Sequence, residues 1–152
     1  MEIEKRGSVV LICMNRPHRQ NKLTSEIMQQ LMEGLDIAES WEDATCLVTT
    51  GMGKFYSAGL DINTETPLNQ DPHQIAHDMG LLQKLVARLL TFPLPTIAAI
   101  TGHAFGGGAF LALAHDYRIM SSGRGWWCLP AAIVGLQIPL STGFTALLRD
   151  SH

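Results

Sequence analysis

Residues 96–110 read TIAAITGHAFGGGAF. Thr96 to Thr101 is small and β-branched, the composition of a buried strand, and Gly102 interrupts it. Three consecutive glycines, Gly106 to Gly108, then open a helix running through about Ala114. The first N–H groups of a helix have no partner inside it, and the aligned peptide dipoles add positive potential there. Glycine lets a ligand come close to that backbone. Gly102 to Phe110 is therefore predicted to be a strand-to-helix turn that holds a negative charge. A P-loop is excluded because no Lys-Ser or Lys-Thr follows the glycines, and Gly102 and Gly106 are too far apart for the dinucleotide fingerprint. Close helix packing is the other use of such glycines, and this stretch alone leaves it open.

Working outward, residues 46–62 hold a second strand, Cys46 to Thr50, stopped by Gly51 and Gly53 and followed by GKFYSAGLDI over 53–62. Lys54 to Asp61 reads as a loop that re-enters the core. Ser57 lacks the G-x-S-x-G setting of a nucleophile and has no base placed beside it by sequence. The small-small-glycine run Ser57-Ala58-Gly59 suits a backbone N–H donor instead. Val9 to Met14 is a strand ended by Asn15-Arg16-Pro17. Thr24 or Ser25 caps a helix to about Trp41, with Ile27, Leu31, Leu35 and Ala38 on one face. Residues 63–72 form a surface loop. His73 to Phe92 is an amphipathic helix, with Ile75, Met79, Leu82, Val86 and Leu89 aligned and Pro93 and Pro95 ending it. Tyr117 to Ser121 and Trp126 to Leu129 are short strands. Strands alternate with helices, so the expectation is one α/β domain over residues 1–152.

The chain has 152 residues, 46% of them hydrophobic and 16% charged, with a net charge of −3. That balance gives no footprint for nucleic acid or an anionic membrane. No apolar stretch approaches the ~20 residues of a membrane span, and no secretory or other targeting signal is visible, so cytoplasm is the default compartment. Cys13, Cys46 and Cys128 are odd in number and far apart, as free thiols are.

Taken together, FYSAGLDI at 55–62 and PTIAAITGHAFGGG at 95–108 resemble the crotonase superfamily, the enoyl-CoA hydratases and isomerases. Asn15-Arg16-Pro17 with Asn21, His115-Asp116-Tyr117-Arg118-Ile119-Met120, and Pro130 with Gly135 extend the resemblance from residue 1 to about 145. The GHA…ALAHDY pattern is closest to the monofunctional enoyl-CoA isomerases of fatty-acid metabolism. The resemblance implies a spiral of ββα units. It implies an acyl-CoA thioester as substrate, with no further cofactor and no metal. Two backbone N–H groups, at Ala58 and Gly107, would form an oxyanion hole for the enolate. Lys22, Ala58, Leu60, Asp61, Ile62, Phe105, Gly106, Gly107, Phe110, Pro130 and Ala131 would line the substrate site. The family also implies a homotrimer, and peroxisome or mitochondrion as further compartments.

Two positions depart from the family pattern. The hydratase glutamate position is Phe110, and the isomerase's proton-carrying glutamate position is Ala131. Trp126 to Leu140 contains no Asp or Glu. Alanine and phenylalanine cannot move a proton between the α- and γ-carbons of a thioester. His103 beside the glycines and Asp61 beside a donor read as structural, as do His115 and Asp116. His73 and His77, at i and i+4, read as a solvated helix face without a third metal ligand. Ile133 to Leu148 stays apolar to near the end, and the family's C-terminal helices are expected to be absent. Three functions therefore stand: an enoyl-CoA isomerase-like enzyme, an acyl-CoA-binding pseudoenzyme or assembly subunit, and a shortened fragment without activity.

Overall fold

The computed structural model describes residues 1–62 and 71–130. Its first layer is a five-stranded sheet in the order β1-β2-β3-β5-β7. β1 (Glu2–Arg6) and β2 (Val9–Met14) form an antiparallel hairpin, with Glu2 opposite Cys13 and Arg6 opposite Val9. β3 (Cys46–Gly51) runs parallel to β2 and to β5 (Thr96–Ile100), and β5 runs parallel to β7 (Tyr117–Met120). A second, three-stranded parallel sheet consists of β4 (Phe55–Ser57), β6 (His103–Phe105) and β8 (Trp127–Cys128). Between them the chain repeats one movement: a strand of the large sheet, a strand of the small one, then a helix. That is the expected ββα spiral. The small sheet is the departure, because Lys54–Asp61 and Gly102–Gly108, read as loop and turn, each contain one of its strands.

Among the described residues, three α-helices share one core with the strands. α1 (Ser25–Ser40) is capped by Thr24, whose hydroxyl accepts the Ile27 N–H at 3.3 Å. α2 (Pro72–Leu90) starts at Asp71, whose carboxylate accepts the His73 N–H, with Pro72 in the first turn where its missing N–H costs nothing. α3 (Gly107–Leu113) is short and largely buried.

The core follows the two periods of its elements. Val10, Ile12 and Met14 of β2 point inward with Leu47 of β3 and Ala98 and Ile100 of β5. Ile27, Leu31 and Leu35 of α1 and Leu82, Leu85, Val86 and Leu89 of α2 meet them. Each such side chain contributes roughly 1.5–3 kcal/mol on burial. Gly34 sets how closely α1 approaches the sheet: a Cβ there would stand 3.0 Å from Ile12 Cδ1. The three cysteines are free thiols, Cys13 buried and Cys46 and Cys128 half-buried. No helix of the described residues is long and apolar enough to cross a membrane.

Candidate functional site

The site begins where the chain leaves the small sheet. β4 and β6 lie side by side, Phe55 opposite His103 and Ser57 opposite Ala104. Beyond them the two backbones touch. Gly59 has φ +87°, and a Cβ there would stand 2.7 Å from Phe105 O and 2.8 Å from Gly107 N. Both the left-handed backbone and the close approach require glycine. Gly106, at φ +50° and ψ −118°, makes the matching turn before α3. A Cβ on Gly107 would stand 3.3 Å from Leu60 N, and one on Gly108 only 2.5 Å from Ser57 O. The glycines thus serve close packing, one of the two uses that the sequence left open.

Buried N–H groups must be accounted for one by one. Ala58 N–H donates to Gln20 O at 3.0 Å. Gly59 N–H donates to Ser57 Oγ at 3.1 Å, and Gly106 N–H to Cys128 O at 2.9 Å. Among the described residues, Leu60 N–H and Gly107 N–H donate to nothing. They lie on either side of the Gly59–Gly107 contact. The expectation that Ala58 supplies a free donor is therefore corrected. Ala58 is still bonded to the loop carrying Gln20, and the turn at Gly59 frees the next N–H, that of Leu60. Ser57 is fully buried with its hydroxyl engaged, which suits a structural role.

Next to Gly107 the wall is apolar. Leu82 of α2 reaches across, its Cδ2 3.1 Å from the position of a Gly107 Cβ. Phe110 is buried in α3. Phe105 and Phe55 stack edge to face at 5.9 Å between ring centroids, and the His103 ring lies 4.8 Å from Phe55. His103 Nδ1 accepts the Trp126 N–H at 3.2 Å, which ties the ring into the small sheet. A low-polarity wall strengthens the pull of an N–H on any oxygen placed between the donors.

The polar rim is built by a second contact. Leu23 pairs with Leu60 in an isolated parallel bridge, and Leu23 N–H donates to Gly59 O at 2.8 Å. That brings Lys22 onto Asp61, Nζ to Oδ1 at 2.7 Å, at a partly exposed position. Ile62 N–H donates to Leu60 O at 2.8 Å. Pro130 is half-buried after β8, and Ala131 lies outside the described residues. An open concavity of about 380 Å³ on the large sheet, lined by Glu2, Glu4, Cys13 and Met52 among others, shares no residue with this region.

Several polar residues singled out by sequence turn out to brace the site. Asn21 is buried: its amide donates to Met52 O at 3.0 Å and Phe55 O at 2.7 Å, and its Oδ1 accepts the Arg16 N–H at 2.8 Å. The Asp116 carboxylate accepts both the N–H and the hydroxyl of Thr96. His115 is buried, with Nδ1 2.8 Å from Leu111 O and Nε2 2.9 Å from Thr49 Oγ1. Thr49 Oγ1 also lies 2.8 Å from the Tyr56 hydroxyl. Burial pushes His115 down to about 4 and the Tyr56 phenol well above its ordinary value. His73 and His77 are exposed, and His77 faces Asp78 at 3.4 Å.

Comparison with known proteins agrees with this fold. The enoyl-CoA hydratase/isomerase family matches residues 4–148. The chain belongs to this family, the crotonases. It is 32% identical over 154 residues to enoyl-CoA delta isomerase 2, peroxisomal, of Arabidopsis thaliana, covering 97% of this chain and 62% of that one. It is 39% identical over 116 residues to 1,2-epoxyphenylacetyl-CoA isomerase of Escherichia coli, covering 73% of this chain and 43% of that one. The structure of Pseudomonas aeruginosa DspI superposes with a TM-score of 0.84 at 33% identity, over 97% of this crotonase and 58% of DspI. The present chain thus spans about two-fifths to three-fifths of the length of these relatives.

Proposed function

We propose that this crotonase binds an acyl-CoA thioester with the carbonyl oxygen between the N–H groups of Leu60 and Gly107, and stabilises the enolate formed there. The carrying observation is the pair of unbonded N–H groups on either side of the Gly59–Gly107 contact, with Leu82 packed beside Gly107. Removal of one donor of such a hole typically costs about 3–4 kcal/mol of transition-state stabilisation. Family membership and the CoA thioesters in the names of its relatives support the substrate class. Lys22 and Asp61, with Ile62, form the polar rim that faces the nucleotide end.

The finer reading is isomerisation of a β,γ- to an α,β-enoyl thioester. A base removes a proton from the α-carbon, the negative charge moves onto the thioester oxygen, and a proton returns at the γ-carbon. Phe110 cannot serve as that base, and the sequence carries alanine at the isomerase position, Ala131. A second reading follows from those two residues: an acyl-CoA binder that polarises its ligand without turning it over.

Turnover of a 3-enoyl-CoA by the full chain, by Ala131→Glu and by Gly107→Ala separates them. The isomerase reading expects slow turnover that Ala131→Glu raises by about 10²-fold or more. It expects Gly107→Ala, whose methyl would fill the space before Leu60 N, to abolish the gain. No turnover in either the parent chain or Ala131→Glu, with acyl-CoA still bound, leaves the binder reading. Failure to bind acyl-CoA at millimolar concentration overturns both.

A further inference from the structure

The two free donors sit on different pieces of chain. Leu60 follows β4, and Gly107 begins α3. Backbone pairing between β4 and β6 ends at Ser57 and Ala104 and is irregular even there. Past that point, no hydrogen bond joins Ala58–Leu60 to Gly106–Gly108 among the described residues. A buried side-chain relay does join the two pieces, further back. Tyr56 lies in β4, just before the Leu60 turn. His115 lies just past the C-terminal end of α3. Both meet the hydroxyl of Thr49, at 2.8 Å and 2.9 Å. Thr49 itself is in β3, the middle strand of the large sheet, opposite Ile12 on one side and Ala98 on the other.

The direction of every proton in the relay is fixed by chemistry. Leu111 O can only accept, so His115 Nδ1 carries the proton and donates to it. A neutral ring then leaves Nε2 as an acceptor for the Thr49 hydroxyl proton. Thr49 Oγ1 in turn accepts from the Tyr56 hydroxyl. Burial of His115, which favours the neutral ring, agrees with this order. All three polar groups are satisfied and at most 2% exposed. Such a closed network has one arrangement, and a partly broken one leaves buried groups unpaired.

We propose that Thr49 is the positioning residue of the site: its hydroxyl sets the spacing of the Leu60 and Gly107 N–H groups by holding Tyr56 on one side and His115 on the other. Thr49 touches no substrate. It acts through the two elements that carry the donors, and it references both to the most central strand of the fold. This inference rests on the reading of Leu60 and Gly107 as the thioester site.

The test is the ¹³C chemical shift of the thioester carbonyl of a saturated [1-¹³C]acyl-CoA bound to the full-length chain, with free coenzyme A affinity measured alongside. Two correctly spaced donors polarise the carbonyl and move its signal downfield. Thr49→Val, which keeps the shape and removes the hydroxyl, is expected to lose about half of that displacement or more, while coenzyme A affinity stays within about twofold. Thr49→Ser is expected to restore the displacement. Tyr56→Phe cuts only the β4 arm and leaves Thr49 bonded to His115, so it reports even where Thr49→Val does not fold. A smaller displacement in Tyr56→Phe supports the proposal. A displacement equal to the parent chain's in Thr49→Val, or in Tyr56→Phe where only that variant folds, overturns it. No displacement in the parent chain overturns the thioester site itself, and the positioning role with it.

Discussion

Lowering the pH from 7.5 to 4.5 is expected to weaken this fold through one histidine. Burial pushes His115 from 6.5 down to about 4. Between those values the unfolded chain binds a proton that the folded chain refuses. The stability that His115 contributes is therefore complete above pH 6.5, and it is lost as the pH falls toward 4. At about 1.4 kcal/mol per pH unit, the whole loss amounts to about 3 kcal/mol. The cause lies in the relay. Protonation of Nε2 makes it a donor to Thr49 Oγ1, so the Thr49 hydroxyl proton loses the buried acceptor it had. Against a total stability of about 5–15 kcal/mol this is large. It should move the urea midpoint by about 1–2 M. Carboxylates titrate over the same range, so the comparison is with His115→Gln, whose amide does not ionise. The parent chain should lose more stability than the variant between pH 7.5 and 4.5, by the amount above. Parallel pH dependence in the two proteins would refute the argument, because it would mean that His115 accepts its proton equally well folded and unfolded.

Other substitutions probe separate contacts. Gly108→Ala places a methyl 2.5 Å from the backbone oxygen of Ser57, where no flexible side chain can yield, so denaturant melts should show a loss of about 1–3 kcal/mol or more. Asn21→Ala removes three hydrogen bonds from a buried amide at φ +50° and strands the Arg16 N–H, so thermal unfolding should report a loss of about 2–4 kcal/mol. Lys22→Ala breaks an ion pair that is partly exposed on both sides, so stability should change by less than about 1 kcal/mol. Calorimetry should nonetheless show weaker coenzyme A binding in that variant.

The sequence showed some levels of this structure and hid others for physical reasons. α1, α2 and the strands β2, β3 and β5 were legible because burial on one face repeats along several turns or pleats. β1 was hidden by its charges: Glu2, Glu4, Lys5 and Arg6 face solvent at a sheet edge. β4, β6 and β8 have only two or three residues each, too few for any period to show. Within the site, the glycine run points to Gly107, whose N–H has no acceptor among the described residues. The family pattern points to Ala58 for the second donor, whereas the N–H without an acceptor is that of Leu60. What decides between Ala58 and Leu60 is the arrival of the Gln20 carbonyl, a contact across 38 residues that no local pattern reports. One local signal did exist. Gly59 stands where a left-handed turn reverses the chain, and the residue after such a turn presents its N–H. The Tyr56–Thr49–His115 relay left no local trace, since its outer members are 59 positions apart and ordinary in composition.

Both free donors belong to the main chain, and that has an evolutionary consequence. A catalytic side chain disappears with a single codon change, whereas an amide N–H survives every substitution at its own position except proline. Position 60 can therefore drift without deleting its donor, and position 107 can fail only by gaining bulk. Mutation at the side-chain positions around them can change or remove a reaction while the main-chain donors persist. A lineage can in this way shed one chemistry and keep the apparatus from which another is built.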